Sequence, residues 1–114
     1  MSIVAVFESP SLTRETYEKS IQMLTNGKAR VESPADWPVP GLLVHAAGQG
    51  ANGFRVVDVW ESEEAFRRFG EKLIPIMEAL GMDGDPDTYP VHTLVTGPQT
   101  GKFILWGTAG KSAC

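Results

Sequence analysis

Apolar positions along the chain change their rhythm repeatedly, and each change marks an element. The first run, residues 2–8 (SIVAVFE), is short, β-branched and aromatic, and Ser9 and Pro10 bound it, so it predicts a strand. The spacing then turns helical through Leu12, Tyr17, Ile21 and Leu24. Thr13 supplies an N-cap, Leu12 stands where it can staple onto Tyr17, and Asn26 and Gly27 provide the stop. Residues 28–41 carry three prolines and no period, which predicts an irregular, extended connection. Residues 42–48 and 54–61 are strand-like runs on either side of GQGANG, the pattern of a β-hairpin. Ser62 then caps a second helix with Glu63 and Glu64 in its first turn and an apolar stripe of Phe66, Phe69, Leu73, Ile76, Met77 and Leu80. Pro75 within it predicts a kink or two short helices meeting there, and Gly81 ends it. A fourth strand is expected over residues 88–96 (TYPVHTLVT), where Pro90 is best tolerated at a sheet edge.

The order β, α, β, β, α, β predicts an α+β, ferredoxin-like domain over residues 1–97. Its four-stranded antiparallel sheet has the order 4-1-3-2, with both helices on one face. The opposite face is left bare. If it is apolar it needs a cover, and a second copy of the same sheet is the simplest one, so a homodimer is expected. Residues 98–114 form an extension whose KFILW, residues 102–106, is too apolar for a solvated tail. It is expected to add a strand to a neighbouring subunit or to its own sheet edge.

Composition narrows the partners. The chain has 114 residues, 42% hydrophobic and 21% charged, which suits one globular domain. Ten Lys and Arg scattered among fourteen acids, a net charge of −4, oppose binding to nucleic acid. No apolar stretch approaches a membrane span and MSIVAVFES has no signal-peptide pattern, so a cytoplasmic protein without a membrane partner is expected. The single cysteine, Cys114, supplies neither an internal disulfide nor a metal pair.

Four polar side chains in apolar strands are the candidates for chemistry. His45 and His92 are the only histidines, and imidazole suits acid–base work near neutral pH; each also fits a half-buried ring bonded to backbone. Asp58, inside RVVDVW, must be paired, hydrogen-bonded or protonated; it either orients His45 or pairs with Arg55. If the hairpin turns about Gly50 and Ala51, strand alternation puts His45 and its neighbours Leu43 and Ala47 on one face with Asp58 and Trp60, looking toward the helices. A fairly open cavity there would hold an aromatic ligand. Tyr89 fits either a proton donor or aromatic packing, and Trp37 in its polar loop covers the core, a partner subunit or a pocket mouth. A metal is not expected, because the strand order puts His45 and His92 at opposite edges. No nucleophile elbow or phosphate-binding glycine loop is present.

Residues 55–69 (RVVDVWESEEAFRRF) resemble the strand-to-helix signature of antibiotic biosynthesis monooxygenase-like proteins, members of the dimeric α/β-barrel superfamily. GLLVHAAG before it and YPVHTLV after it fit the same layout, so the resemblance covers residues 1–97. It implies a dimeric α/β barrel. That superfamily includes cofactor-independent oxygenases of aromatic polyketides, haem-degrading enzymes, isomerases, cyclases and members without assigned activity. Trp60 matches the family's strand-end tryptophan, and Phe69 falls where haem-degrading relatives place a helix tryptophan. Their haem-binding histidine has no counterpart near Ala79, so no cofactor is expected. The functional expectation is a small-molecule enzyme in which His45, Asp58 and His92 move protons and Trp37, Trp60, Phe69 and Tyr89 hold a planar ligand. Oxygenation, cyclisation or isomerisation would follow proton removal. The alternatives are a non-catalytic ligand-binding or stress-related dimer, and an interaction module acting through KFILW.

Overall fold

The structure, a computed structural model, describes residues 1–27 and 31–97; the expectations for KFILW and Cys114 lie outside the described residues. The elements run β1 (Ile3–Glu8), α1 (Arg14–Leu24), a 3-10 turn (Pro34–Asp36), β2 (Leu42–Gly50), β3 (Gly53–Trp60), α2 (Glu63–Leu80) and β4 (Asp87–Pro90). The four strands form one sheet in the order β2-β3-β1-β4, every neighbouring pair antiparallel. Both helices bury their apolar stripes on one face: Ile21 and Leu24 of α1 and Ala65 and Phe69 of α2 share a cluster with Ile3 and Trp60 of the sheet. This is the expected α+β, ferredoxin-like architecture.

Local chemistry fixes each element. Thr13 closes a capping box in which its hydroxyl accepts from the Thr16 amide at 3.1 Å and its own amide donates to the Thr16 hydroxyl at 2.9 Å. Ser62 caps α2 by accepting from the Ala65 amide at 3.1 Å, and Gly81 ends that helix in the left-handed conformation. The helix runs through Pro75 as one element, so two separate helices do not form. Pro75 stands in the fourth turn, where burial of the stripe on both sides of it outweighs the one lost backbone bond.

Register departs from expectation in two places. Gly50 pairs with Gly53, so the hairpin turns about Ala51 and Asn52, and His45 lies directly opposite Asp58. A bulge between Leu42 and Val44 then shifts the start of β2. It turns Leu42 inward and leaves Leu43, expected beside His45, 43% exposed. The fourth strand is also shorter than expected. It ends at Pro90 because its partner begins at Ile3, and after the bond from the Val91 amide to Ser2 the ladder has nothing further to join. Pro90 does sit on an edge strand.

Candidate active site

The first turn of α1 is clamped to the hairpin. Leu12 is buried against Phe54 and Tyr17, and its carbonyl accepts from the Phe54 amide at 3.0 Å. The approach requires Gly53, whose φ of 133° and close contact with the Ser9 carbonyl leave no room for a Cβ. Tyr17, one turn into the helix, is thereby aimed at the sheet. Its hydroxyl lies 2.7 Å from His45 Nε2.

His45 joins a chain of three polar groups. Its Nδ1 lies 2.6 Å from Asp58 Oδ1, and the carboxylate can only accept, so Nδ1 carries the proton and donates. In the neutral ring Nε2 is then the acceptor and the Tyr17 O–H donates to it. The second oxygen of Asp58 accepts from the Trp60 indole N–H at 3.4 Å. Asp58 is 1% exposed and Trp60 fully buried, so these bonds replace the water the carboxylate has lost. Of the two pairings considered for Asp58, the one with His45 forms. Arg55 points to the other sheet face and pairs with Glu8 at 3.3 Å.

The connection before β2 folds over this chain. Gly41, at φ 107°, lets the backbone pass so close to α2 that a Cβ there would stand 2.6 Å from the Ala65 Cβ. Trp37 is thereby laid on His45 with ring centroids 4.6 Å apart and on Phe69 at 5.4 Å. Trp37 is 7% exposed and its indole nitrogen has no hydrogen-bond partner among the described residues. It belongs to the core of its own domain and also walls a cavity.

That cavity lies between sheet and helices, as expected, and measures about 60 Å³. Tyr17, Trp37, His45, Asp58 and Phe69 line it, with Asp83 and Asp85 among the groups of its wall. It is narrow rather than open, because Trp37, Phe69 and Met77 fill space that strand alternation alone leaves vacant. Burial, reinforced by the charges of Asp58 and Glu18, pushes the Tyr17 phenol well above its ordinary value of 10.0.

Not every expected residue reaches the cavity. Trp60 stands behind it, stacked on Phe69 at 5.0 Å, and supports Asp58. Tyr89 faces the opposite side of the sheet's β4 edge, half exposed, beside an open groove between α2 and β4. His92 lies beyond β4, exposed, and bonds to the Thr93 hydroxyl at 2.8 Å; no contact links it to His45. The sequence reading used Tyr17 only as a packing residue. The one signal for more was its position as the stapled partner of Leu12, which fixes where its ring enters the interior.

No protein-family model matches the chain, and no curated protein matches it in sequence. Among solved structures, it is similar to a point variant of SnoaB, a cofactor-independent oxygenase from Streptomyces nogalater, at 17% identity and a TM-score of 0.50, covering 84% of this chain and 96% of that one. The unsubstituted SnoaB structure is matched at 18% identity and a TM-score of 0.42, over 87% of this chain and 90% of that one. The first of these likenesses supports the fold. No helix among the described residues is long and apolar enough to cross a membrane.

Proposed function

We propose that the chain is a small-molecule enzyme that removes a proton from a weakly acidic, ring-shaped substrate held between sheet and helices. The observation that carries this reading is the Asp58–His45–Tyr17 chain, with bonds of 2.6 and 2.7 Å, set in an apolar aromatic wall. Asp58 fixes the His45 tautomer and stabilises the imidazolium that forms, which is what a general base needs from its neighbour. A carbanion so formed rearranges, or reacts with molecular oxygen. In the oxygenation an activated methylene loses two hydrogens, one atom of dioxygen becomes the carbonyl oxygen, and the other leaves as water. In this reading the chain supplies the proton transfer and the carbanion reacts with dioxygen directly, without a cofactor. The shared fold with SnoaB, itself a cofactor-independent oxygenase, supports the class of chemistry. The unpartnered Trp37 N–H is a donor that a ligand oxygen would satisfy.

The proposed working unit is a homodimer in the dimeric α/β-barrel manner, since the sheet face away from the helices carries Val4, Val6, Val44, Val57 and Val59. The second reading is a non-catalytic binder. The cavity of about 60 Å³ is far below the roughly 300–1,000 Å³ of typical ligand sites, so under either reading a ring needs its walls to move apart to enter.

The test uses an anthrone, an uncharged tricyclic with an activated methylene, and follows oxygen uptake together with tryptophan fluorescence. The enzyme reading expects uptake that His45→Gln lowers by roughly 100-fold or more while binding persists. Binding without turnover of this or other activated-methylene probes selects the second reading.

A further inference from the structure

His45 has no free nitrogen to offer a substrate. Nδ1–H donates to Asp58 at 2.6 Å, Nε2 accepts from Tyr17 at 2.7 Å, and Trp37 covers the ring at 4.6 Å. Its side chain is 12% exposed. The Tyr17 oxygen, by contrast, gives its single proton to His45 and keeps its lone pairs, and Tyr17 lines the cavity.

We infer that Tyr17 is the catalytic residue that meets the substrate's acidic proton, with His45 acting behind it as the terminal base and Asp58 positioning His45. This rests on the proton-abstraction reading and names the atom through which abstraction occurs. The substrate X–H bond breaks, its proton goes to the Tyr17 oxygen, and the proton already on that oxygen passes to His45 Nε2. The products are the substrate anion, a neutral tyrosine and an imidazolium facing the Asp58 carboxylate. No electron is lost and no co-reactant is needed for this step. Burial holds Tyr17 in its neutral form, so the two transfers occur together rather than through a free phenolate. The arrangement places tyrosine where a serine hydroxyl stands in a nucleophilic triad, with the difference that it relays a proton and forms no covalent bond.

The wall also restricts the substrate class. Asp58, Asp83 and Asp85 stand in it, and among the described residues it contains no lysine or arginine. An acid already carrying a carboxylate or phosphate is repelled there, whereas an uncharged enol, phenol or activated methylene is not.

Tyr17→Phe removes one oxygen and keeps the ring in place, so it isolates the relay. In the full-length chain, kcat for anthrone oxidation is expected to fall by roughly 100-fold or more while anthrone affinity, read by tryptophan quenching, changes little. Without any ligand, nitrogen NMR of histidine-labelled protein should show the His45 Nε2 resonance moving to that of an unbonded imidazole nitrogen. A Tyr17→Phe variant as fast as the parent, or faster, means that the hydroxyl only plugs the base, and overturns the inference while His45 keeps its role. If the parent itself leaves this and other activated-methylene probes untouched, the wider reading fails and takes the relay with it, whereas a fast Tyr17→Phe overturns the relay alone. An Nε2 resonance unchanged by the substitution shows that Tyr17 does not hold His45 in solution.

Discussion

At the scale of single residues, the site depends on Asp58 accepting two buried donors, His45 Nδ1–H and Trp60 Nε1–H. Asp58→Ala leaves both without an acceptor, and each orphaned donor costs roughly 1–3 kcal/mol. The urea midpoint should therefore fall at unchanged slope. Adding His45→Phe alone exchanges the orphaned imidazole N–H for an orphaned Tyr17 O–H, whereas adding His45→Phe and Tyr17→Phe together leaves only the Trp60 N–H unpaired, so the triple variant should recover part of the loss. A second expectation concerns alkali. The Tyr17 phenol ionises at higher pH in the folded chain than when unfolded, so the folded state holds the extra proton once pH passes about 10, the ordinary tyrosine value. Stability is fully present below that pH and declines as pH rises beyond it. Chemical denaturation at pH 9 and pH 11 should show the decline in the parent and a shallower one in Tyr17→Phe. The partnership of His45 with Asp58 was legible because parity survives the true register. Moving the turn centre from Gly50–Ala51 to Ala51–Asn52 shifts the opposing residue by two, which keeps both side chains on one face. The role of Tyr17 was not legible, since it depends on how α1 is rotated over the sheet, and no periodicity along one chain segment reports that angle.

At the scale of elements, the same rotation is set by the start of α1. The Thr13–Thr16 box and the Leu12 anchor decide where the first turn lies, and Tyr17 follows one residue after Thr16. Thr13→Ala should cost about 1 kcal/mol through the lost cap. It should also loosen the Tyr17 ring, so the His45 Nε2 resonance broadens or shifts although residue 13 reaches Tyr17 only through the bond its carbonyl accepts from the Tyr17 amide. A stability loss with an unmoved resonance would assign the orientation of Tyr17 to the Leu12 contact alone. Both helices were readable from caps and stripes, because an N-cap and a C-terminal glycine are local chemistry. The bulge at Leu43 and the short β4 were not. A bulge inserts a residue without changing composition, and the length of an edge strand is decided by how far its partner extends, which lies more than eighty residues away in sequence. The Trp37 segment has no period either, yet its burial on His45 is what narrows the cavity.

At the scale of the whole molecule, the sheet has one face covered by helices and one carrying a valine patch. On that face Val57 is central, paired with Val6 on one side and Ala46 on the other. A two-fold interface of facing sheets would repeat any substitution there on both subunits near the axis. Val57→Lys would then bury two like charges against apolar neighbours, whereas Glu71→Lys on the outer surface of α2 changes the net charge by at least as much without touching the patch. Sedimentation equilibrium at micromolar concentration should find the parent and Glu71→Lys as dimers and Val57→Lys as a single subunit. A parent that sediments as one subunit removes the dimer, but it leaves the cavity standing, because His45 and Asp58 lie on the sheet face opposite the valine patch. The two proposals are therefore separable: the face away from the helices decides assembly, the face beneath them decides chemistry, and Val57 and Asp58, adjacent in sequence, stand on opposite sides of that division.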